Sequence, residues 1–121
     1  MTENNHGIEN EVVVSRDETN VELEFVIPVT SDFFHGHFPQ FKILPAVGQF
    51  EIVTRFSCKY LNTTRWVAGV RRMKFSAPVL PETKLRLKLS RDPAKNSVEF
   101  DLSGADDGKS YSNGIFTAEA Q

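Results

Sequence analysis

The chain has 121 residues, 40% of them hydrophobic and 25% charged, with a net charge of −2. That composition allows one domain with a hydrophobic core and leaves no room for a second. Every apolar run falls short of the roughly 18 residues a spanning helix needs, and the first ten residues are polar rather than leader-like. A cytoplasmic setting is therefore expected, with neither a membrane span nor a nucleic-acid role. Cys58 is the single cysteine, which excludes an intrachain disulfide and suits a reducing compartment.

The small net charge conceals a segregation along the chain. Residues 1–41 set Arg16 against eight acids, residues 42–95 set twelve Lys or Arg against three, and residues 96–121 set Lys109 against five, giving −7, +9 and −4. A basic middle block reads in two ways: charged strand edges that discourage aggregation, or a face that steers an acidic partner. Arg71, Arg72, Lys74 and Lys84 are the candidates for such a face.

Residues 1–10 lack periodicity and are expected to be a flexible N-terminus, leaving 11–121 as the domain. Glu11 to Ser15 and Val21 to Pro28 are rich in β-branched residues and flank the polar turn Arg16 to Asn20, the pattern of a hairpin. Val21, Leu23, Phe25 and Ile27 then share one face. Gly36, Pro39 and Pro45 mark the next stretch as a loop, in which His37 stands among Phe33, Phe34, Phe38 and Phe41. A helix is predicted from Pro45, a tolerated residue at a helix start. Val47, Phe50, Val53 and Phe56 recur at helical spacing, and Asn62, Thr63 and Thr64 end the pattern near Tyr60 or Leu61. Its apolar arc is wide, so it should be wrapped by sheet. Four strands are predicted after it, at Arg65 to Phe75, Lys84 to Ser90, Ser97 to Ser103 and Lys109 to Ala118. The fold class is α+β: an antiparallel sheet of about five or six strands round one long central helix.

His37 and Glu51 are the one plausible acid/base pair. An imidazole with an ordinary pKa of about 6.5 can act as a base near neutral pH, and Glu51 rides one turn inside the helix. Taken singly, a histidine in an aromatic loop and a glutamate on a helix flank are ordinary structural residues. His35 lies two residues from His37, but no further ligand cluster accompanies them, so no metal or cofactor is expected. Phe34, Phe38, Phe41 and Phe50 are core by default and, beside His37, would also suit the lining of an apolar substrate channel.

Gly36-His37-Phe38-Pro39, then Pro45-Ala46-Val47, then Glu51 fourteen positions after His37, together resemble the 3-hydroxyacyl-acyl-carrier-protein dehydratases of bacterial fatty acid synthesis. The likeness continues through Ala68-Gly69-Val70, Lys74-Phe75, Ala77-Pro78-Val79-Leu80-Pro81 and Leu85, and is close over about residues 29 to 89. It implies the hotdog fold and dehydration of (3R)-3-hydroxyacyl thioesters, with His37 as base, Glu51 as acid, and the helix-start N–H groups of Val47 and Gly48 as oxyanion donors. It also implies an acyl carrier protein as partner, a homodimer or dimer-based higher oligomer whose subunits share the site, and a cis peptide at His37–Phe38. A hotdog thioesterase and a noncatalytic acyl-binding homologue are the alternatives.

Three departures stand out. A Pro-His-Arg-type loop ahead of the first long strand has no counterpart, so the chain looks more like the small dehydratases of aryl-polyene and related acyl pathways. Ala46 replaces the family's glycine before the helix. Arg55 replaces a glutamine one turn after Glu51, within helical reach of it and able to orient it.

Overall fold

The computed structural model describes residues 8–28, 44, 46–64 and 69–119. Their order is β1 (Glu9–Arg16), β2 (Asn20–Val26), α1 (Ala46–Leu61), β3 (Gly69–Phe75), β4 (Lys84–Asp92), β5 (Ser97–Gly104) and β6 (Ser110–Thr117). The six strands form one antiparallel sheet in the order β1-β2-β4-β5-β6-β3. This is the hotdog arrangement expected from the sequence, with the helix 16 residues long and so shorter than a long central helix. Strand ends differ from the expected ones by a few residues: β1 begins at Glu9 and β4 runs on to Asp92.

Local chemistry explains the turns. Asp17 closes the β1–β2 hairpin, its Oδ1 accepting from the backbone N–H groups of Thr19 (2.9 Å) and Asn20 (2.8 Å), the Asx geometry that lets aspartate imitate a turn. Asp92 and Asp107 repeat the device, accepting from Ala94 N at 3.1 Å and Lys109 N at 3.0 Å. Gly108, at φ 71°, supplies the left-handed residue of the β5–β6 turn, a conformation glycine adopts without steric penalty.

Alternation sets the sheet's two faces. Val21, Leu23, Phe25 and Ile27 are all buried, as their spacing predicts, together with Leu85, Leu87, Leu89, Val98, Phe100, Leu102 and Phe116. Against them lie Ile52, Val53 and Phe56 of α1; Phe56 meets Phe25 at 5.0 Å between ring centroids. On the polar face a cross-strand row runs Glu22, Lys88, Asp101, Asn113 by register, where opposite charges on neighbouring strands attract.

Helix α1 ends where Asn62 takes φ 58°, the left-handed cap that a non-glycine terminus most readily accepts from asparagine. Its last turn is tied to β1. Arg16 donates to the Tyr60 carbonyl at 3.0 Å, and Glu11 accepts from Lys59 Nζ at 2.5 Å and from the Tyr60 hydroxyl.

Candidate active site

A helical wheel divides α1. Positions 49, 52, 53, 56 and 57 are buried on the sheet side, whereas Glu51, Arg55 and Cys58, spaced by four and three, share the opposite side and are half-buried. Glu51 thus lies in the second turn on the face turned away from the sheet core. Its carbonyl accepts from Thr54 Oγ1 at 3.0 Å.

The expected oxyanion donors, Val47 and Gly48, occupy the first turn of α1. N–H groups of a first turn have no intrahelical acceptor and carry the positive end of the helix dipole. That turn holds no acidic side chain, so the partial charge there is not offset from within it. His37, with Phe34, Phe38, Phe41 and the His37–Phe38 peptide, lies outside the described residues, as does the Val47 side chain. Phe50 packs on the sheet, its ring edge-on to Phe116 at 5.4 Å and 6.1 Å from Phe100.

The charge of Arg55 reaches β1. Together with Lys59 it bears electrostatically on Glu11 of β1. Burial works to raise the Glu11 pKa, but hydrogen bonds from Lys59 and Tyr60 and the charges of Lys59 and Arg55 outweigh it, and the carboxyl titrates below its ordinary value. The same contacts raise Lys59, chiefly through its hydrogen bond to Glu11.

The candidate docking cations separate into two groups. Arg71, Arg72 and Lys74 are exposed on β3, the sheet's edge strand, which bulges between Arg71 and Lys74 with Arg72 at φ 53°. Lys84 lies on β4, three strands away, 3.6 Å from Glu24. A cavity of about 620 Å³ opens along the polar face of the sheet, beside Glu22, Lys88, Asp101 and Arg72. It belongs to the charge row rather than to the face bearing Glu51.

Sequence reading passed over Gln49. It is 1% exposed; its Nε2 donates to Leu44 O at 3.2 Å and to Ala77 O at 2.9 Å, while its buried Oε1 has no hydrogen-bond partner among the described residues. A buried acceptor left unmatched costs about 1–3 kcal/mol. The signal was present: Gln49 occupies the i position of the i, i+3, i+4, i+7 series completed by Ile52, Val53 and Phe56.

The chain is similar to several known proteins. The chain matches residues 81 long at 27% identity in a 3-hydroxyacyl-[acyl-carrier-protein] dehydratase FabZ of Clostridium perfringens, covering 61% of this chain and 58% of that one. The chain spans between 50% and 58% of the length of the curated relatives it matches. Among solved structures, an uncharacterized protein from Erwinia carotovora subsp. atroseptica superimposes with a TM-score of 0.75 at 29% identity, over 91% of this chain and 94% of that one. The dehydratase heterocomplex ApeI:P from Xenorhabdus doucetiae gives 0.74 at 23%, over 90% and 97%. The sequence pattern of the ApeI-like family, described as ApeI dehydratase, matches residues 13–115, from β1 into β6. With most of its length inside that pattern, the chain belongs to the ApeI-like dehydratase family.

Proposed function

We propose that the protein dehydrates (3R)-3-hydroxyacyl thioesters carried on acyl carrier protein to trans-2-enoyl thioesters, in fatty acid or polyene-type acyl synthesis. The observation that carries the reading is Glu51: fourteen positions after His37 of the Gly36-His37-Phe38-Pro39 motif, and half-buried on the side of α1 opposite Ile52, Val53 and Phe56.

The reaction removes a weakly acidic C2 proton and expels a poor leaving group from C3, so it needs a base and an acid. His37 takes the C2 proton. The electrons of that bond form the C2–C3 double bond as the C3–O bond breaks, and the hydroxyl leaves as water with a proton delivered through Glu51, directly or by a water it holds. Negative charge developing on the thioester oxygen is met by the N–H groups at Val47 and Gly48, which need no reorganisation to receive it. Arg55 orients the carboxylate.

In this reading two copies complete the site, the histidine of one facing the carboxylate of the other, with their sheets continuous across a twofold axis. Two features favour it. Edge strand β3 is exposed at nearly every residue, with Val70 53% and Phe75 38% accessible, and the Glu51 face of α1 points away from its own sheet. The exposed cations of β3 then stand beside the entrance, where an acidic carrier protein would dock.

Incubation with 3-hydroxyacyl and with plain acyl carrier-protein thioesters tests the function. Enoyl product is expected from the first and nothing from the second. Free thiol would make the protein a thioesterase, and no product from either substrate would make it an acyl-binding homologue.

A further inference from the structure

Gln49 closes the first turn of α1 and is enclosed by protein. Its Nε2 reaches two carbonyls that belong to different parts of the fold. Leu44 O, at 3.2 Å, lies on the chain arriving from His37. Ala77 O, at 2.9 Å, lies on the bend that follows β3. Leu44 and Val79 are themselves paired, Leu44 N donating to Val79 O at 2.7 Å and Val79 N to Leu44 O at 3.2 Å. The bend is in turn held to the sheet, Ser76 N donating to Tyr111 O at 2.8 Å.

We propose that Gln49 is a positioning residue for the dehydration: it sets the rotation and depth of the start of α1 against the Ala77–Val79 bend, and so the direction in which Glu51 is presented on the other side of the helix. The inference rests on the dehydratase reading above. Residues two apart on a helix lie about 200° round its axis, so an anchor on the sheet side at position 49 fixes where position 51 points on the other side. The helix's neighbouring core positions, Ile52, Val53 and Phe56, are apolar and hold it by non-directional packing, whereas a donor shared by two carbonyls adds a directional constraint.

Stability alone does not account for the residue. A methionine or leucine would fill the same space without burying an unmatched oxygen. It would leave the Ala77 carbonyl without this donor, while Leu44 O keeps Val79 N, so gain and loss nearly offset, and departures from full polar satisfaction gather where function demands them.

Gln49→Met, similar in length and volume, removes both donors and the unmatched oxygen together. Expected is a fall in kcat of about 10- to 100-fold on a 3-hydroxyacyl thioester, the scale of a small misplacement of catalytic groups, with KM near the wild-type value. The melting temperature should move by no more than about 4 °C. Amide exchange should quicken at Leu44 and Val79 and stay unchanged at Leu87 and Phe100. Unchanged kcat, or a loss of activity that only follows the loss of folded protein, overturns the proposal, and so does unaltered exchange at Leu44 and Val79. Gln49→Asn, which keeps the amide but is too short to span both carbonyls, provides the same readings if the methionine variant does not fold. A wild-type protein inactive on hydroxyacyl thioesters would sink the dehydratase reading by itself; the exchange rates would still decide whether Gln49 holds the helix start.

Discussion

The two sides of helix α1 are made by different rules. On the sheet side Ile52, Val53 and Phe56 are at most 1% exposed and belong to the core, Phe56 lying 5.0 Å from Phe25 of β2 between ring centroids. On the other side Glu51, Arg55 and Cys58 remain half-buried. A helix that only needed to complete a core would carry solvent-facing charges opposite its apolar stripe. This one keeps a carboxylate and a guanidinium on a partly covered face, so the two sides answer to separate experiments: one through stability, the other through turnover.

The sharpest contrast comes from removing chemistry without touching packing. Glu51→Gln and His37→Ala should each lower kcat by about 10²–10⁴, the range for a positioned acid or base, with an unchanged melting temperature, followed by the absorbance of the enoyl product. Retention of most activity in Glu51→Gln would take the carboxylate out of the proton path. Phe56→Ala reverses the pattern: it opens a cavity against Phe25 and should destabilise by about 3–5 kcal/mol in a denaturant titration, while protein that stays folded keeps its kcat. A variant that loses both in proportion would erase the distinction between the faces.

Smaller effects belong to the periphery. Lys74→Glu should raise KM for a carrier-bound substrate and make turnover less sensitive to salt, since exposed charges beyond about 8 to 10 Å are screened at physiological ionic strength. A small thioester analogue should show neither change. Lys84→Glu should do less than Lys74→Glu, because Lys84 is already engaged with Glu24. Comparing the two at matched salt tests the proposed docking at β3, and equal effects of both would count against it.

The contact between β1 and the end of α1 gives the smallest shift. Glu11 has a lowered pKa in the folded chain, so its contribution is fully present above the ordinary carboxylate value of 4.5 and is lost as pH falls through the folded value. Glu11→Gln should therefore be destabilised at neutral pH by up to about 1 kcal/mol, as for a largely accessible ion pair. The gap from wild type should close on acidification, and melting curves between neutral and acid pH read it directly. A gap that persists in acid would assign the effect to packing.

Much of the framework was legible because it depends on local periodicity. The alternation of Val21, Leu23, Phe25 and Ile27 has one burial solution, and Asn62 ends the helix where the apolar spacing stops. What was not legible depends on who neighbours whom. Nothing in Gly69–Phe75 says that it forms the far edge of the sheet beside β6, nor that Arg72 adopts a left-handed conformation in a bulge. Glu11 and Arg16 read as hairpin polarity until the tertiary fold brings Tyr60 between them. Gln49 was missed for a related reason. Glutamine usually faces water, and only the position of Ala77, 28 residues away, makes its burial worthwhile. His37 and Glu51, by contrast, were singled out by residue type and separation, and both fall within the stretch that carries the family's pattern.

The placement of β3 bears on how the chain assembles in time. Neighbours β4, β5 and β6 follow one another in sequence and can zip as a meander, whereas β3 must wait for β6: Phe75 pairs with Ser112 and Gly69 with Thr117, closures that span the whole meander. Non-local pairings form slowly because loop entropy is lost before contacts are gained. The edge that presents Val70 and Phe75 is therefore expected to form among the last, after most of the sheet exists. During synthesis this order leaves the β6 edge open until β3 docks, so the interval before β3 pairs is the one in which the chain is most exposed to aggregation.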